Sequence, residues 1–287
     1  VDKYHTLILE GLCSHNCYEN PDRERSEEWA KAQYDIEKIM QRLKFFKKKN
    51  PNTPPGLHGG EPLLMKREDI RRVFRWVDEN YEGSPHIQTN ATLIDDEVIE
   101  IFKEFNVNVG VSCDGPKELN RLRKASGELE KKRTKVTDKM TEQTLDAIDR
   151  MIDEGISGGV IVVLQEKNAG TEERFEKLLD WMDYLCENNW SGHFNPAIPY
   201  EDIQNDVSLD PERLKDCYLK TWEWMKEKGY RRWNPMNNYV DNLLGNNLKN
   251  CVNNKCDVFN AGAAQIIDGD GETTGCGKTW STVGDGV

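Results

Sequence analysis

Residues 86–116 read HIQTN-ATLI-DDEVIEIFKEF-NV-NVGVSC-DGP. Short runs with strand-like composition at 86–90 and 108–113 predict two strands, and the segment 95–105 between them has the apolar spacing of a helix. Asp95, followed by Asp96 and Glu97, is typical of a helix N-cap with an acidic first turn. Because a helix that connects two strands usually returns the chain to the same edge of a sheet, this stretch predicts a βαβ unit with parallel strands.

The same alternation extends over the first 200 residues. Further strands are predicted at 5–13, 56–60, 158–165 and 193–198. Helices are predicted at about 26–49, 67–81, 136–154 and 171–188, with plausible starts at Ser26 and Thr171. The clearest is 67–81, where Ile70, Val73, Phe74, Val77 and Tyr81 form one apolar stripe.

Six strand–helix units favour an open barrel over a closed one. The predicted fold class is therefore α/β, a partial (β/α)6 TIM-like barrel over residues 1–200. Past residue 200 the alternation stops, and a linking helical segment is predicted at 201–235, with its helix at 210–228. An Asn-rich stretch and a Gly-rich tail follow, so a small C-terminal region is predicted at 236–287.

Composition excludes several classes of protein. The 287 residues carry 39 Lys+Arg against 51 Asp+Glu, a net charge of −12, which argues against a nucleic-acid coat or a binder of anionic membranes. No apolar run approaches the length of about 18 residues that a membrane span needs. The first residues are too polar for a signal peptide, and we expect a cytoplasmic protein.

The eight cysteines divide by position into two groups. Cys113, Cys186 and Cys217 are isolated in apolar or helical surroundings, and we expect them to be buried core residues. The other five are candidate metal ligands, because they cluster after the first strand and in the tail: Cys13, Cys17, Cys251, Cys256 and Cys276.

The segment 117–135 is rich in Lys and Arg. It is interpreted as a solvated loop, or as a clamp for an acidic peptide or a cofactor carboxylate.

Four predicted strand ends carry unusual residues, at 13–17, 57–62, 88–90 and 111–116. Gly59 and Gly60 let a ligand approach the backbone, and Pro62 stiffens the exit from the strand. Glu61 offers a carboxylate to an ammonium group. Polar side chains suited to sugar hydroxyls follow two further strands: Asn90, Ser112 and Asp114.

The strings HGGEPLL at 58–64, QTNATLID at 88–95 and VGVSCDGP at 109–116, in this order, resemble radical S-adenosylmethionine (SAM) enzymes. They are most similar to the branch that modifies peptides and proteins and carries a C-terminal SPASM or twitch extension. The resemblance implies that the amino group of SAM is lined by Gly59, Gly60, Glu61 and Pro62. It implies that Asn90, Ser112 and Asp114 lie near the ribose and carboxylate, and that Arg123 or Lys124 pairs with the carboxylate.

The resemblance also implies a [4Fe–4S] cluster held by Cys13 and Cys17. The family's loop is Cys-x3-Cys-x2-Cys, and the third position here is Asn20. A gap of three residues between Cys17 and Tyr18 would restore the family's pattern. The alternative is that this chain has lost the ligand.

The tail resembles the opening of a SPASM/twitch segment. Cys256 and Cys276 frame Gly271 with the spacing Cys-x14-Gly-x4-Cys, and residues 266–271 predict a hairpin with a tight turn. The resemblance implies an auxiliary iron–sulfur cluster at these cysteines, with Cys251 as a further candidate, and an incomplete extension. A zinc site is the rival interpretation, but no Cys-x2-Cys hook is present.

Two functions follow from the resemblance. The first is an enzyme that reductively cleaves SAM to a 5′-deoxyadenosyl radical and abstracts hydrogen from a peptide or protein, served by an electron donor such as flavodoxin or ferredoxin. The products would be a crosslink, an epimerised residue, or an oxidised Ser or Cys. The alternative is a degenerate SAM-binding barrel that binds peptides without radical activity. The sequence identifies no catalytic side chain.

Overall fold

A computed structural model describes residues 6–9, 34–49, 51–58, 61–123, 130–197, 207–245, 265–268, 271, 273 and 274. The strands are β1 (Thr6–Leu9), β2 (Gly56–Leu57), β3 (His86–Thr89), β4 (Asn108–Ser112), β5 (Gly158–Leu164), β6 (Ser191–Pro196), β7 (Trp233–Asn234), β8 (Gln265–Asp268) and β9 (Thr273–Thr274). The helices are α1 (Ile36–Lys49), α2 (Arg67–Asn80), α3 (Asp96–Glu104), α4 (Glu130–Asp153), α5 (Glu166–Ala169), α6 (Glu172–Glu187), α7 (Pro211–Lys228) and α8 (Met236–Leu243). Two 3₁₀ helices span Pro62–Leu64 and Lys117–Asn120.

The chain divides into two units. The first comprises residues 1–89, 93–109 and 249–287, and the second comprises 90–92 and 110–248, so β4 is shared between them. The division of the chain at residues 200 and 235 stays a prediction.

In the first unit the strand order is β3-β2-β1-β8-β9. β2 and β3 are parallel, with Leu57 opposite Ile87. β8 and β9 are antiparallel, with Ile266 opposite Thr274, which confirms the strand pairing of the predicted hairpin, whereas residues 269 and 270 of its predicted turn lie outside the described residues. β1 runs antiparallel to β2, a departure from the expected parallel pairing. The segment between these two strands is long enough to return the chain in either direction.

In the second unit the order is β7-β6-β5-β4. β5 and β6 are parallel from Gly159 opposite Ser191 to Leu164 opposite Pro196, and β6 is parallel to β7. Strands alternate with helices in both units, so the predicted α/β class with parallel strand pairs is confirmed. β7 and α8 lie where the sequence predicted no regular element.

Local signals placed most of the helices correctly. The stripe on α2 is buried through Ile70, Val73, Phe74 and Val77, as predicted. The Asp95 carboxylate accepts a hydrogen bond from the N–H of Val98 at 2.9 Å, and Thr171 caps α6 by accepting from Arg174. The N-caps predicted at Asp95 and Thr171 are confirmed, and the helix start predicted at Ser26 lies outside the described residues.

Two predicted boundaries are wrong. The helix predicted at 26–49 begins at Ile36, because the Asp35 carboxylate accepts from the N–H groups of Glu37 and Lys38 at 3.1 Å and caps it there. The basic segment 117–135 is not one loop. It contains a 3₁₀ helix and the start of α4, and Arg121 pairs with Asp138 at 2.9 Å beside them.

The core of the second unit buries cysteine and aromatic side chains. Cys113, Cys186 and Cys217 are buried free thiols, as predicted. Trp233 is fully buried, donates from Nε1 to the Cys186 sulfur at 3.1 Å, and lies 5.0 Å from the Phe194 ring. These contacts order β7 although its own sequence has no strong strand pattern.

None of the described helices has the length and apolarity that crossing a bilayer requires.

Gly192 on β6 has no room for a side chain. A Cβ there would lie 2.3 Å from a ring carbon of Trp233, which is enclosed and cannot swing away. We expect Gly192→Ala to lower the free energy of unfolding by about 1–3 kcal/mol, measured by urea denaturation followed by circular dichroism. In a Gly192→Ala, Trp233→Leu double variant the loss is expected to be smaller than the sum of the single losses. Additive losses would contradict the predicted clash.

Candidate cofactor-binding site

Several predicted site residues lie outside the described part of the chain. They are Cys13, Cys17, Gly59, Gly60, Lys124, Cys251, Cys256 and Cys276. Their predicted roles stay predictions. The remaining predicted residues are described, and each unit holds some of them.

Glu61 in the first unit follows β2 and caps the 3₁₀ helix. Its Oε1 accepts from the N–H of Leu63 at 3.1 Å and from the hydroxyl of Thr89, at the end of β3, at 2.6 Å. Pro62 is buried at the first position of the same helix, where its missing N–H is not needed. The carboxylate that the sequence predicted as an ammonium ligand is therefore held by donors from two segments.

Asn90 in the second unit builds the turn after β3. Its Oδ1 accepts from the Thr92 N–H at 2.9 Å and the Thr92 hydroxyl at 2.7 Å, and its backbone carbonyl accepts from the Thr144 hydroxyl at 2.9 Å. Ala91 between them has φ +63°, a strained value for a residue with a Cβ. The contact of Asn90 with a ribose stays a prediction, and the structure adds that its side-chain oxygen shapes the turn.

Asp114 and Arg123, predicted as separate cofactor contacts, are partners of each other. Asp114 is fully buried, and its Oδ1 accepts from Arg123 Nη2 at 2.7 Å and from the Val163 N–H at 2.8 Å. Arg123 Nη2 also donates to the Ile161 carbonyl at 3.3 Å. Burial raises the pKa of the Asp114 carboxyl, opposed by the Arg123 charge and the hydrogen bonds. The pair ties the turn after β4 to β5.

A buried polar network holds the same turn, and sequence analysis missed it. Asn120 accepts from the Asp114 N–H at 2.8 Å and donates to the Thr141 hydroxyl at 3.0 Å. Asn168 donates to the carbonyls of Asp114 and Val163 at 3.0 and 2.9 Å. The local signal that could have revealed this network is the capping box at the end of β5. There Gln165 caps α5, and the Asn168 side chain accepts a hydrogen bond from the Gln165 N–H.

Ser112 ends β4 on the less buried face of the strand. Val109 and Val111 are buried on one face, whereas Gly110 and Ser112 are half-buried on the other. A polar side chain at the carboxyl end of a parallel strand is well placed for ligand contact. The predicted contact of Ser112 with SAM stays a prediction.

Two cations of the predicted clamp after β4 pair with carboxylates inside the second unit. Arg121 forms two hydrogen bonds with Asp138, and Arg123 pairs with Asp114. Both guanidinium groups are therefore neutralised by carboxylates of this chain.

Residues 13–182 match the sequence profile of the radical SAM superfamily. The match covers more than half of the chain and includes the three strings at 58–64, 88–95 and 109–116. This chain belongs to the radical SAM superfamily. Membership implies a [4Fe–4S] cluster and SAM as cofactors, and Glu61, a half-buried residue whose carboxylate is held by hydrogen bonds, fits the ammonium group of SAM.

Curated relatives of this radical SAM chain include two anaerobic sulfatase-maturating enzymes. The cysteine-type enzyme of Clostridium novyi is 26% identical over 259 residues, covering 84% of this chain and 62% of that enzyme. The serine-type enzyme of Bacteroides thetaiotaomicron is 29% identical over 133 residues, covering 45% of this chain and 29% of that enzyme. The chain thus spans less than two thirds of the length of either relative.

Two solved structures of anSMEcpe share the fold of this chain. Hexahistidine-tagged anSMEcpe with bound AdoMet superimposes with a TM-score of 0.59 at 19% identity, covering 77% of this chain and 59% of that chain. Native anSMEcpe with bound AdoMet gives 0.56 at 20% identity, with coverages of 73% and 56%. These similarities show a common fold.

Proposed function

We propose that this chain is a radical SAM enzyme that modifies a side chain of a peptide or protein. The observation that carries the proposal is the Glu61 carboxylate, which is fixed by Thr89 and lies inside the segment that matches the family. The peptide or protein substrate is inferred from the two relatives, both named as sulfatase-maturating enzymes.

The chain's own residues have distinct roles in this proposal. Cys13 and Cys17 hold the [4Fe–4S] cluster, Glu61 receives the ammonium group of SAM, and Ser112 and Asn90 contact its ribose and carboxylate. When bound, the cluster and SAM supply the 5′-deoxyadenosyl radical chemistry that removes a hydrogen atom from the substrate. Cys251, Cys256 and Cys276 are proposed ligands of an auxiliary cluster, and a flavodoxin or ferredoxin is the proposed electron donor.

The test is reductive cleavage of SAM. Protein with a verified cluster loop, reconstituted anaerobically with iron and sulfide, is expected to release 5′-deoxyadenosine when SAM and dithionite are added, as measured by liquid chromatography and mass spectrometry. The matched control omits iron and sulfide. A reconstituted protein that releases no 5′-deoxyadenosine contradicts the proposal.

A second candidate function is favoured by Asn20, which stands where the family's pattern has its third cysteine. It is a SAM-binding barrel that binds peptides without radical activity. For this candidate, calorimetry is expected to detect SAM binding. The iron content is expected to be below stoichiometric, and no 5′-deoxyadenosine is expected to form. Metal analysis that finds zinc in place of iron and sulfide would instead support a structural zinc site.

A further inference from the structure

Thr89 places a hydroxyl where strand packing alone would favour an aliphatic side chain. It lies on β3 on the same face as Ile87, and it is only 2% exposed. A buried hydroxyl without an acceptor is costly, and the Thr89 hydroxyl donates to Glu61 Oε1 at 2.6 Å. The bond joins residues 28 positions apart in the chain.

The backbone N–H of Leu63, which also donates to Glu61, cannot replace the Thr89 hydroxyl as an anchor. The N–H of Leu63 binds the same Oε1 at 3.1 Å, but it lies only two residues along the chain and moves with Glu61. The Thr89 hydroxyl is attached to β3, so it anchors the carboxylate to the sheet.

We propose that Thr89 is a positioning residue that orients the Glu61 carboxylate toward the ammonium group of SAM. The inference rests on the proposed function, because it requires Glu61 to meet SAM. Thr89 itself lies behind Glu61 and has no contact with SAM in this proposal. Its effect is therefore confined to ligands that carry the amino group.

The test compares Thr89→Val, which keeps the volume and removes the donor, with Thr89→Ser, which keeps the donor. Calorimetry on the reconstituted, unreduced protein measures the Kd of two probes: S-adenosylhomocysteine, which has the amino group, and 5′-methylthioadenosine, which lacks it. For Thr89→Val we expect about tenfold weaker binding of S-adenosylhomocysteine, since the lost hydrogen bond is to a charged group. Binding of 5′-methylthioadenosine is expected to be unchanged, and Thr89→Ser is expected to resemble the wild type.

A double-mutant cycle supplies a second readout that a purely structural role does not move. In a Glu61→Gln background, Thr89→Val is expected to have no further effect on S-adenosylhomocysteine binding, because the group it positions is already changed. Equal weakening of both probes, unchanged S-adenosylhomocysteine binding, or additive effects of the two substitutions would each overturn the inference. If the wild type and its variants follow the expected pattern but no 5′-deoxyadenosine forms, the radical function fails and the positioning role stands.

Discussion

Replacement of Asp114 with alanine is expected to cost about 3–5 kcal/mol of unfolding free energy, the usual loss when one partner of a buried ion pair is removed. The Arg123 side chain is 10% exposed and would keep its charge without its carboxylate. The buried Val163 N–H would also lose its acceptor at 2.8 Å. Because folded proteins are stable by only about 5–15 kcal/mol, this loss would be a large fraction of the total.

Asp114→Asn separates the charge from the hydrogen bonds. Asparagine keeps the volume and one oxygen acceptor but removes the charge that balances Arg123, so we expect its loss to be smaller than that of alanine by about 0.5–1.5 kcal/mol, the net value of an ordinary hydrogen bond. Chemical denaturation followed by circular dichroism and tryptophan fluorescence measures both variants. Glu37→Ala is the matched control, since it breaks an exposed pair with Arg72 and is expected to leave stability unchanged. An Asp114→Ala variant as stable as that control would show that the buried pair contributes nothing.

Replacement of Cys13 with alanine is expected to abolish reductive cleavage of SAM while the fold remains. Under the proposed function Cys13 is a thiolate ligand of the [4Fe–4S] cluster, and alanine provides no ligand in its place. Release of 5′-deoxyadenosine and the iron content per chain are the measurements. Turnover that survives in this variant would remove Cys13 from the cluster ligands.

The matched control for Cys13 is Cys217→Ala. Burial raises the pKa of the Cys217 thiol to about 11, so this sulfur stays protonated at neutral pH and is a poor metal ligand. Its substitution is expected to leave the iron content and SAM cleavage unchanged. Loss of iron in both variants would point to a general folding defect.

The accuracy of the sequence predictions depended on how local the deciding interaction was. The caps at Asp95 and Thr171 and the stripe on α2 are local, and all were predicted correctly. The start of α1 was predicted wrongly because the apolar pattern does not reveal that Asp35 caps the helix. β7 was missed because its order comes from the packing of Trp233 against distant residues.

The candidate site shows the same division. The types and order of the strand-end residues, from Glu61 to Asp114, could be read directly and were enough to indicate the family. The hydrogen-bond partners of these residues could not be read from the sequence. One hydrogen bond joins Glu61 to Thr89, which are 28 positions apart in the chain. Another joins Asp114 to Val163, which are 49 positions apart.

By itself, the sequence determined the α/β class, the three buried thiols and the order of motifs of a radical SAM chain. These features depend on side-chain type and on periodicity within one helix or strand, which a linear string preserves. Only the tertiary structure decided that Arg123 pairs with Asp114 and that Thr89 anchors Glu61. Such pairs form only when strands and turns distant in the chain become neighbours, and one strand's residues do not specify which side chain will lie opposite.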